Sequence, residues 1–468
     1  MNKRHAAMLC LICSASLAQA GEHLSSSDLT RQLAERRAVE AVIWGMPAVN
    51  YDLMLQEMIH KAGGGENQIV YWSRLPTWKN QTLTPNPDSV YSMAFFDTKD
   101  VGPVVLEIPP AGEGSITGNI DNAWQVALED AGPAGADKGK GGKYLILPPG
   151  FSGSVPEGYI PLRSDTFGGY ALLRSTPRSG SDADVAKAVA YVKRVRLYPL
   201  SQAGNPPQTR FVDAMGVLFD STIPYDVRFF ESLDRIVQHE PWLERDRAMI
   251  DQLKSIGIEK GKPFKPDAQT VQTLNEAVQE AHAWLELKYA TAFPPYNEGQ
   301  HWGVPASPEV IEGQSTNYGK RDIYPVDARG LTYSYGFVGI KHLGAGQFYL
   351  MTASDASGRA LDGAGTYRLT VPADPPVRQY WSATVYDRTT HAFIRDVQRF
   401  SRSSQNPELQ KNKDGSVDVY FGPKAPAGKE SNWVPTLPGH QFEVLFRLYG
   451  PEKPLFDKTW VLPDIRKQ

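Results

Sequence analysis

Cysteine is nearly absent from this 468-residue chain: there are two, Cys10 and Cys13, and both fall within the first twenty positions. From residue 21 onward there is no thiol, which excludes disulfide frameworks, thiolate metal centres and cysteine nucleophiles. An excess of charge of one sign is also lacking, with 49 Lys and Arg against 52 Asp and Glu. Nucleic acid is therefore not an expected partner, because backbone phosphates are bound through clustered basic charge. No apolar run approaches the ~20 residues of a spanning helix, so no integral membrane segment is expected. Familiar catalytic signatures are missing as well. The chain has no G-x-S-x-G elbow, S-x-x-K pair, H-E-x-x-H helix, P-loop or G-x-G-x-x-G turn. Its histidines are scattered without ligand-like spacing, and Asn412, Asp414 and Asp418 around Gly415 lack most of a calcium-loop series. No metal and no cofactor are predicted.

The first twenty residues have the design of a secretory signal. Lys3 and Arg4 precede the apolar stretch 6–17, and Ala18-Gln19-Ala20 supplies the small residues of a cleavage site after Ala20. A periplasmic or secreted location follows. Removing the segment takes both cysteines with it, so stability must come from burial in full-sized domains.

Ser26-Ser27-Asp28 offers helix caps for a region of N-terminal helices over 21–68, with Leu29, Leu33, Val39, Val42, Ile43 and Met46 at helical spacing. Pro47 is expected to end or kink that helix before a second helical stretch runs to Gly63-Gly64-Gly65. Short β-branched and aromatic runs divided by Pro and Gly, among them 104–108, 144–147 and 170–173, predict a first β domain over 69–200. Helical periodicity returns in four stripes: Val185 to Val195, Phe229 to Val237, Met249 to Ile256 and Val271 to Leu285. Most of these belong to a helical region and junction over 201–330, whose stretch 290–330 has no period and reads as a long loop.

Beyond it, the runs 348–352, 367–371, 380–386, 417–421 and 442–449 predict a C-terminal β-sandwich over 331–468, with a hairpin turn at Asp414-Gly415. The expected fold is mainly β with helical segments: two antiparallel sandwich or jelly-roll-like domains joined by a helical region.

Two aromatic-rich stretches rise above this background. The first runs from Tyr71-Trp72 to Thr84-Pro85-Asn86-Pro87-Asp88-Ser89-Val90-Tyr91, packing rings, amides and a carboxylate beside prolines that fix φ. The second is Tyr380-Trp381-Ser382-Ala383-Thr384-Val385-Tyr386-Asp387-Arg388, followed by Asn432-Trp433 and Arg447-Leu448-Tyr449. In a strand, Trp381, Ala383 and Val385 share a core face, while Tyr380, Ser382, Thr384 and Tyr386 share the opposite one, which suits either a cleft or a wet surface. Candidates for acid-base and charge-stabilising roles are Asp88, Tyr91, Asp387 and Arg447; ligand-binding candidates are Trp72, Asn86, Trp381, Tyr386, Asn432 and Trp433. Each of them also has a plain structural role as a turn, cap or packing residue.

The same stretches carry a family likeness. The motifs are Thr84-Pro85-Asn86 with Asp88-Ser89-Val90-Tyr91-Ser92, the run Gly142-Lys143-Tyr144-Leu145-Ile146-Leu147-Pro148-Pro149-Gly150, Leu361-Asp362-Gly363, Trp381-Ser382 with Tyr386-Asp387, Asn432-Trp433-Val434-Pro435, and Arg447-Leu448-Tyr449. On these the chain resembles exported bacterial proteins that join two domains of unknown function, numbered twelve fifty-four at the N-terminal end and twelve fourteen at the C-terminal end. The resemblance implies two β-sandwich domains joined through helices. It implies no activity and carries over no catalytic residues. Pro87 interrupts the first motif, and the segment 318–346 departs from the helix that the resemblance implies there.

Two functional readings follow. One is a binding protein or hydrolase for a small polar, sugar-like or aromatic molecule, with a cleft between the β domains. The other is a non-catalytic interaction or scaffold protein of the cell envelope. A homo-oligomer is compatible with both.

Overall fold

A capping box opens the first helix: Ser25 Oγ accepts the Asp28 N–H, and the Asp28 carboxylate accepts the Ser25 N–H, both at 3.1 Å. This computed structural model describes residues 25–468 apart from 113, 292, 337–338 and 345. The signal-like segment, its cysteines and the cleavage point after Ala20 lie outside the described residues.

The helix runs unbroken over Ser26–His60 with Pro47 inside it, contrary to the expectation of a break and a second helix. Tertiary packing outweighs the local cost of proline, ~3 kcal/mol, because the chain from Ala41 to Asp52 is buried throughout. Proline has no N–H to offer the Ile43 carbonyl one turn back. Helix Val326–Tyr335 crosses at that point, so closely that a Cβ on Gly330 would stand 2.5 Å from the Ile43 oxygen.

The N-terminal β domain has two stacked sheets. One has six strands in the order Phe211–Asp213, Gln68–Tyr71, Val90–Asp97, Gly168–Ser175, Thr117–Asn122, Ala127–Ala131; the other has four, Arg196–Pro199, Val104–Ile108, Gly142–Leu147, Tyr159–Arg163. Ala94, Phe96, Ala171 and Leu173 pack with Val104, Leu106, Tyr144 and Ile146 of the facing sheet. The opposite face, with Phe95 and Tyr170, meets Tyr51 of the long helix at ring separations of 6.1 and 5.9 Å. Burial on both faces explains why strands Val90–Asp97 and Gly168–Ser175 are apolar without alternation.

The C-terminal β domain stacks Gln347–Thr352, Phe442–Pro451, Val377–Asp387 and Ser401–Ser403 on Trp433–Pro435, Val417–Gly422, Tyr367–Val371 and Arg466–Lys467. The chain is thus mainly β with helices, in two β domains, and among the described residues no sheet closes into a barrel. Three of these four sheets are mixed, which corrects the wholly antiparallel expectation, while the sheet Gln347–Thr352, Phe442–Pro451, Val377–Asp387, Ser401–Ser403 is antiparallel throughout. Gln68–Tyr71 with Phe211–Asp213, Gly142–Leu147 with Tyr159–Arg163, and Val417–Gly422 with Trp433–Pro435 run parallel. Asp414-Gly415 is a tight turn, with Gly415 at φ 85°, but it does not join a hairpin. The strand it starts pairs with Tyr367–Val371 and Trp433–Pro435.

Helices Asp182–Val192, Arg228–His239, Arg247–Gln252 and Ala268–Tyr289 occupy the four periodic stripes. The stretch read as a loop holds two more helices, Pro308–Ser315 and Val326–Tyr335. The second escapes a periodicity test because Arg329 to Tyr335 are all buried, leaving no polar face to mark a stripe. It also supplies the helix that the family resemblance implies within 318–346.

Since Gly330 has no room for a methyl group against backbone, Gly330→Ala should destabilise the protein by roughly 1–3 kcal/mol, read as a lower urea midpoint. An unchanged midpoint would mean that the two helices are not held at this distance.

Candidate functional site

The loop carrying Asn86 is held rigid by its own side chains. Asn86 Oδ1 accepts the Asp88 N–H at 3.0 Å, an Asx turn, and the Asn86 N–H donates to the Tyr91 hydroxyl at 2.9 Å. Thr84 takes φ 42°, a left-handed conformation that a β-branched residue keeps only where its surroundings hold it. Its N–H donates to the His391 carbonyl at 2.7 Å.

This loop meets the polar face of the C-terminal central sheet. Strand register places Tyr380 opposite Tyr449, and Ser382 opposite Arg447, so one face carries the polar and aromatic groups while Trp381, Ala383 and Val385 enter the domain core. The Asn86 amide donates to the hydroxyls of Tyr380 and Tyr449 at 2.8 and 3.0 Å, whose rings stack at 4.5 Å. In return Arg447 donates to the Thr84 and Pro85 carbonyls at 2.8 and 3.3 Å. It also donates to the hydroxyls of Thr384 at 2.9 Å and Tyr386 at 2.5 Å, and Tyr386 donates to Pro85 at 2.6 Å.

Beside these bonds lies a cavity of about 40 Å³. Tyr91 and Arg174 line it from the N-terminal sheet, Tyr349, Met351, Leu445 and Arg447 from the C-terminal sheet, and Thr84, Pro305, Tyr335 and Gly336 close it. One water needs roughly 10–15 Å³, so the space suits a few waters or one small polar group. Arg174 is 7% exposed and Arg447 is 2% exposed. The two guanidinium groups rest on tyrosine faces, Arg174 over Tyr91 and Arg447 over Tyr349, each at 5.4 Å.

Of the residues singled out from the sequence, Asn86, Asp88, Tyr91, Tyr386 and Arg447 come together here. Asp88 is part-buried, 3.2 Å from Ser401 Oγ. Burial pushes its carboxyl up to about 6, against the opposing pull of Arg447, Ser401 and Arg402. The others lie apart. Trp72 is buried behind Tyr91, packed on Phe219 at 5.2 Å, and Trp381 stacks on Phe446 in the domain core at 5.6 Å. Asp387 accepts the Thr389 N–H at 2.8 Å in a turn and pairs with His440 at 2.8 Å. Asn432 ties a loop to a strand by donating to the carbonyls of Gln410 and Asp418, both at 2.8 Å. Trp433 donates to the Gly422 carbonyl at 2.8 Å. These five act as packing and turn residues rather than as parts of the cavity.

Sequence reasoning missed Arg174, Tyr335 and Tyr349. For Arg174 a signal existed: a lone charge closing the apolar run Tyr170-Ala171-Leu172-Leu173. It also missed the approach of Glu66, Asp97 and His239, whose donor atoms lie within 4.8 Å of one another although the residues are far apart in the chain. Asp97 Oδ2 and His239 Nε2 already bond each other at 2.5 Å, so the group reads as a hydrogen-bonded ion pair and carries no metal assignment.

Because the folded-state value of Asp88, about 6, lies above its ordinary 3.8, the folded protein holds the extra proton. Its contribution to stability is complete below pH 3.8 and is lost as pH rises through about 6. Asp88→Asn should abolish that decline and be more stable than the native chain near neutral pH by up to about 3 kcal/mol, measured by urea denaturation across the interval. Parallel pH profiles for the two proteins would contradict this.

Residues 66–199 match the family described as Protein of unknown function (DUF1254), and residues 346–453 match Protein of unknown function (DUF1214). No curated protein matches the chain. Among solved structures, the VPA0106 protein from Vibrio parahaemolyticus is similar at 18% identity and a TM-score of 0.55, covering 94% of this chain and 100% of its own. An uncharacterized protein from Burkholderia cenocepacia aligns at 12% identity and a TM-score of 0.41, over 94% of each chain. The first likeness shows a shared fold and nothing of activity. With a DUF1254 domain at its N-terminal end and a DUF1214 domain at its C-terminal end, the chain belongs to the two-domain family that pairs them.

Proposed function

We propose that this is an exported protein that binds a small polar molecule in the cavity between its two β domains. The observation that carries the reading is the cavity's construction. Arg174 and Tyr91 come from one domain, Arg447 and Tyr349 from the other, and the helical junction adds Tyr335. Domain interfaces are among the places where ligand sites with a few convergent polar groups preferentially occur. Each domain here consists of two stacked sheets in the manner of a sandwich, and such sheets hold groups on their faces with little freedom. Export is supported by Lys3, Arg4, the apolar stretch and Ala18-Gln19-Ala20.

A second reading, a scaffold protein without a ligand, is favoured by the same interdomain bonds. Asn86 and Arg447 each bond groups of the other domain directly, so the cluster also serves as a latch. A hydrolase would require a water or substrate within reach of Asp88, whose carboxyl titrates near neutral pH and so suits acid-base work.

Screening the purified chain by thermal shift against sugars, small acids, amides and aromatic compounds separates the readings. Binding predicts a saturable rise in Tm for at least one class, and Leu445→Phe, which fills the cavity, should abolish it. A panel without any saturable rise would leave the scaffold reading. For export, intact-mass measurement of the protein recovered from outside the cytoplasm should give a chain that starts at Gly21; a retained N terminus would overturn the signal assignment.

A further inference from the structure

Two cations are buried at this cavity, and neither has an anion. Among the described residues no carboxylate lies within ion-pair distance of Arg174 or Arg447, although surface arginines such as Arg228 and Arg235 find one at 2.6 Å. Arg447 is bonded entirely to neutral acceptors. Arg174 is poorer still: its Nε donates to the Tyr91 hydroxyl at 3.3 Å, and its buried Nη1 has no acceptor among the described residues. The carboxyl groups that act on them lie farther away: Asp121, which burial drives well above its ordinary value, on Arg174, and Asp88, raised to about 6, on Arg447 without an ion-pair contact. Guanidinium stays charged at any ordinary pH. An uncompensated buried cation is strongly unfavourable, and a group that neutralises it is held correspondingly tightly.

We infer that the cavity receives a small oxyanion, a carboxylate or a phosphate- or sulfate-type group, between Arg174 and Arg447, with Tyr91 and Tyr349 as further hydrogen-bond donors. This rests on the reading of the cavity as a ligand site and names the ligand's class. The volume limits what is enclosed to the oxyanion itself. A planar guanidinium fork is matched to such groups, and bonds between charged partners are about twice as strong as neutral ones. Free anions and the acidic end of a larger molecule share this chemistry.

The test is calorimetry and thermal shift on the purified full chain at constant ionic strength. The probes are acetate with its neutral counterpart acetamide, inorganic phosphate, and phenyl phosphate with phenol. Acetate or a phosphate should bind saturably, and the neutral counterparts should not. Phosphate bound well and phenyl phosphate poorly would indicate a free anion; the reverse would indicate the end of a larger molecule. Arg174→Met, which keeps the side-chain volume, should weaken anion binding by at least about tenfold. The variant should also raise the Tm of the ligand-free protein, which a purely structural arginine would lower. General stabilisation by excluded salts persists in the variant and is thereby set aside. Should Arg174→Met not fold, Tyr349→Phe serves in its place, with a severalfold loss expected. Saturable binding of acetamide or phenol in preference to the anions, blocked by Leu445→Phe, would overturn the oxyanion inference and leave the ligand site intact. If neither anions nor neutral probes bind saturably, both the inference and the ligand-site reading fall.

Discussion

The guanidinium of Arg447 constrains how this molecule is assembled. Taken out of water, its donors must find acceptors, and two of the acceptors are carbonyls of Thr84 and Pro85 in the other β domain. The two domains cannot shift relative to each other without stranding a buried charge. The Asn86 amide imposes the same condition in the opposite direction, through Tyr380 and Tyr449. Loop conformation follows from these bonds: Thr84 is held at φ 42° because its carbonyl and its N–H are both committed, to Arg447 and to His391.

The same requirement for exact placement reaches into the helical layer. The six-stranded sheet is covered on both faces, so the long helix Ser26–His60 is an interior element over most of its length from Ala38 onward. Proline is tolerated in it, and glycine is required where Val326–Tyr335 crosses at Ile43. That second helix ends at Tyr335, a wall of the cavity. Core packing, helix crossing and site geometry are therefore parts of one constraint.

A second buried charge network adjoins the first. Glu443 is fully buried on the same strand as Arg447 and bonds His391 Nδ1 at 2.9 Å. Burial alone would lower the His391 pKa, yet the Glu443 and Glu286 charges raise it above 6.5, so this pair is neutralised internally. Arg388 completes the network with Glu286 at 2.9 Å. By contrast, Arg174 and Arg447 have no carboxylate at ion-pair distance among the described residues, and both face one cavity.

Much of the architecture was legible in the chain. Helical stripes such as Phe229 to Val237 and the alternation along Phe442, Val444, Phe446 and Leu448 carry the period of their element, because each has one face on a core. Legibility failed where every face is buried: at Pro47, where packing outweighs a local breaker, and at Arg329 to Tyr335, where no polar face marks the helix. Sequence alone determined the β-rich two-domain plan, the motif residues Asn86, Tyr91, Tyr386 and Arg447, and the scarcity of thiols. Only the tertiary structure decided that those residues meet, that Arg174 joins them, and that Trp72, Trp381, Asp387, Asn432 and Trp433 do not. The physical reason is range. Periodicity and turn chemistry act over a few neighbouring residues, whereas partners for a buried charge are chosen among groups hundreds of positions apart, by which faces the folded sheets turn toward each other.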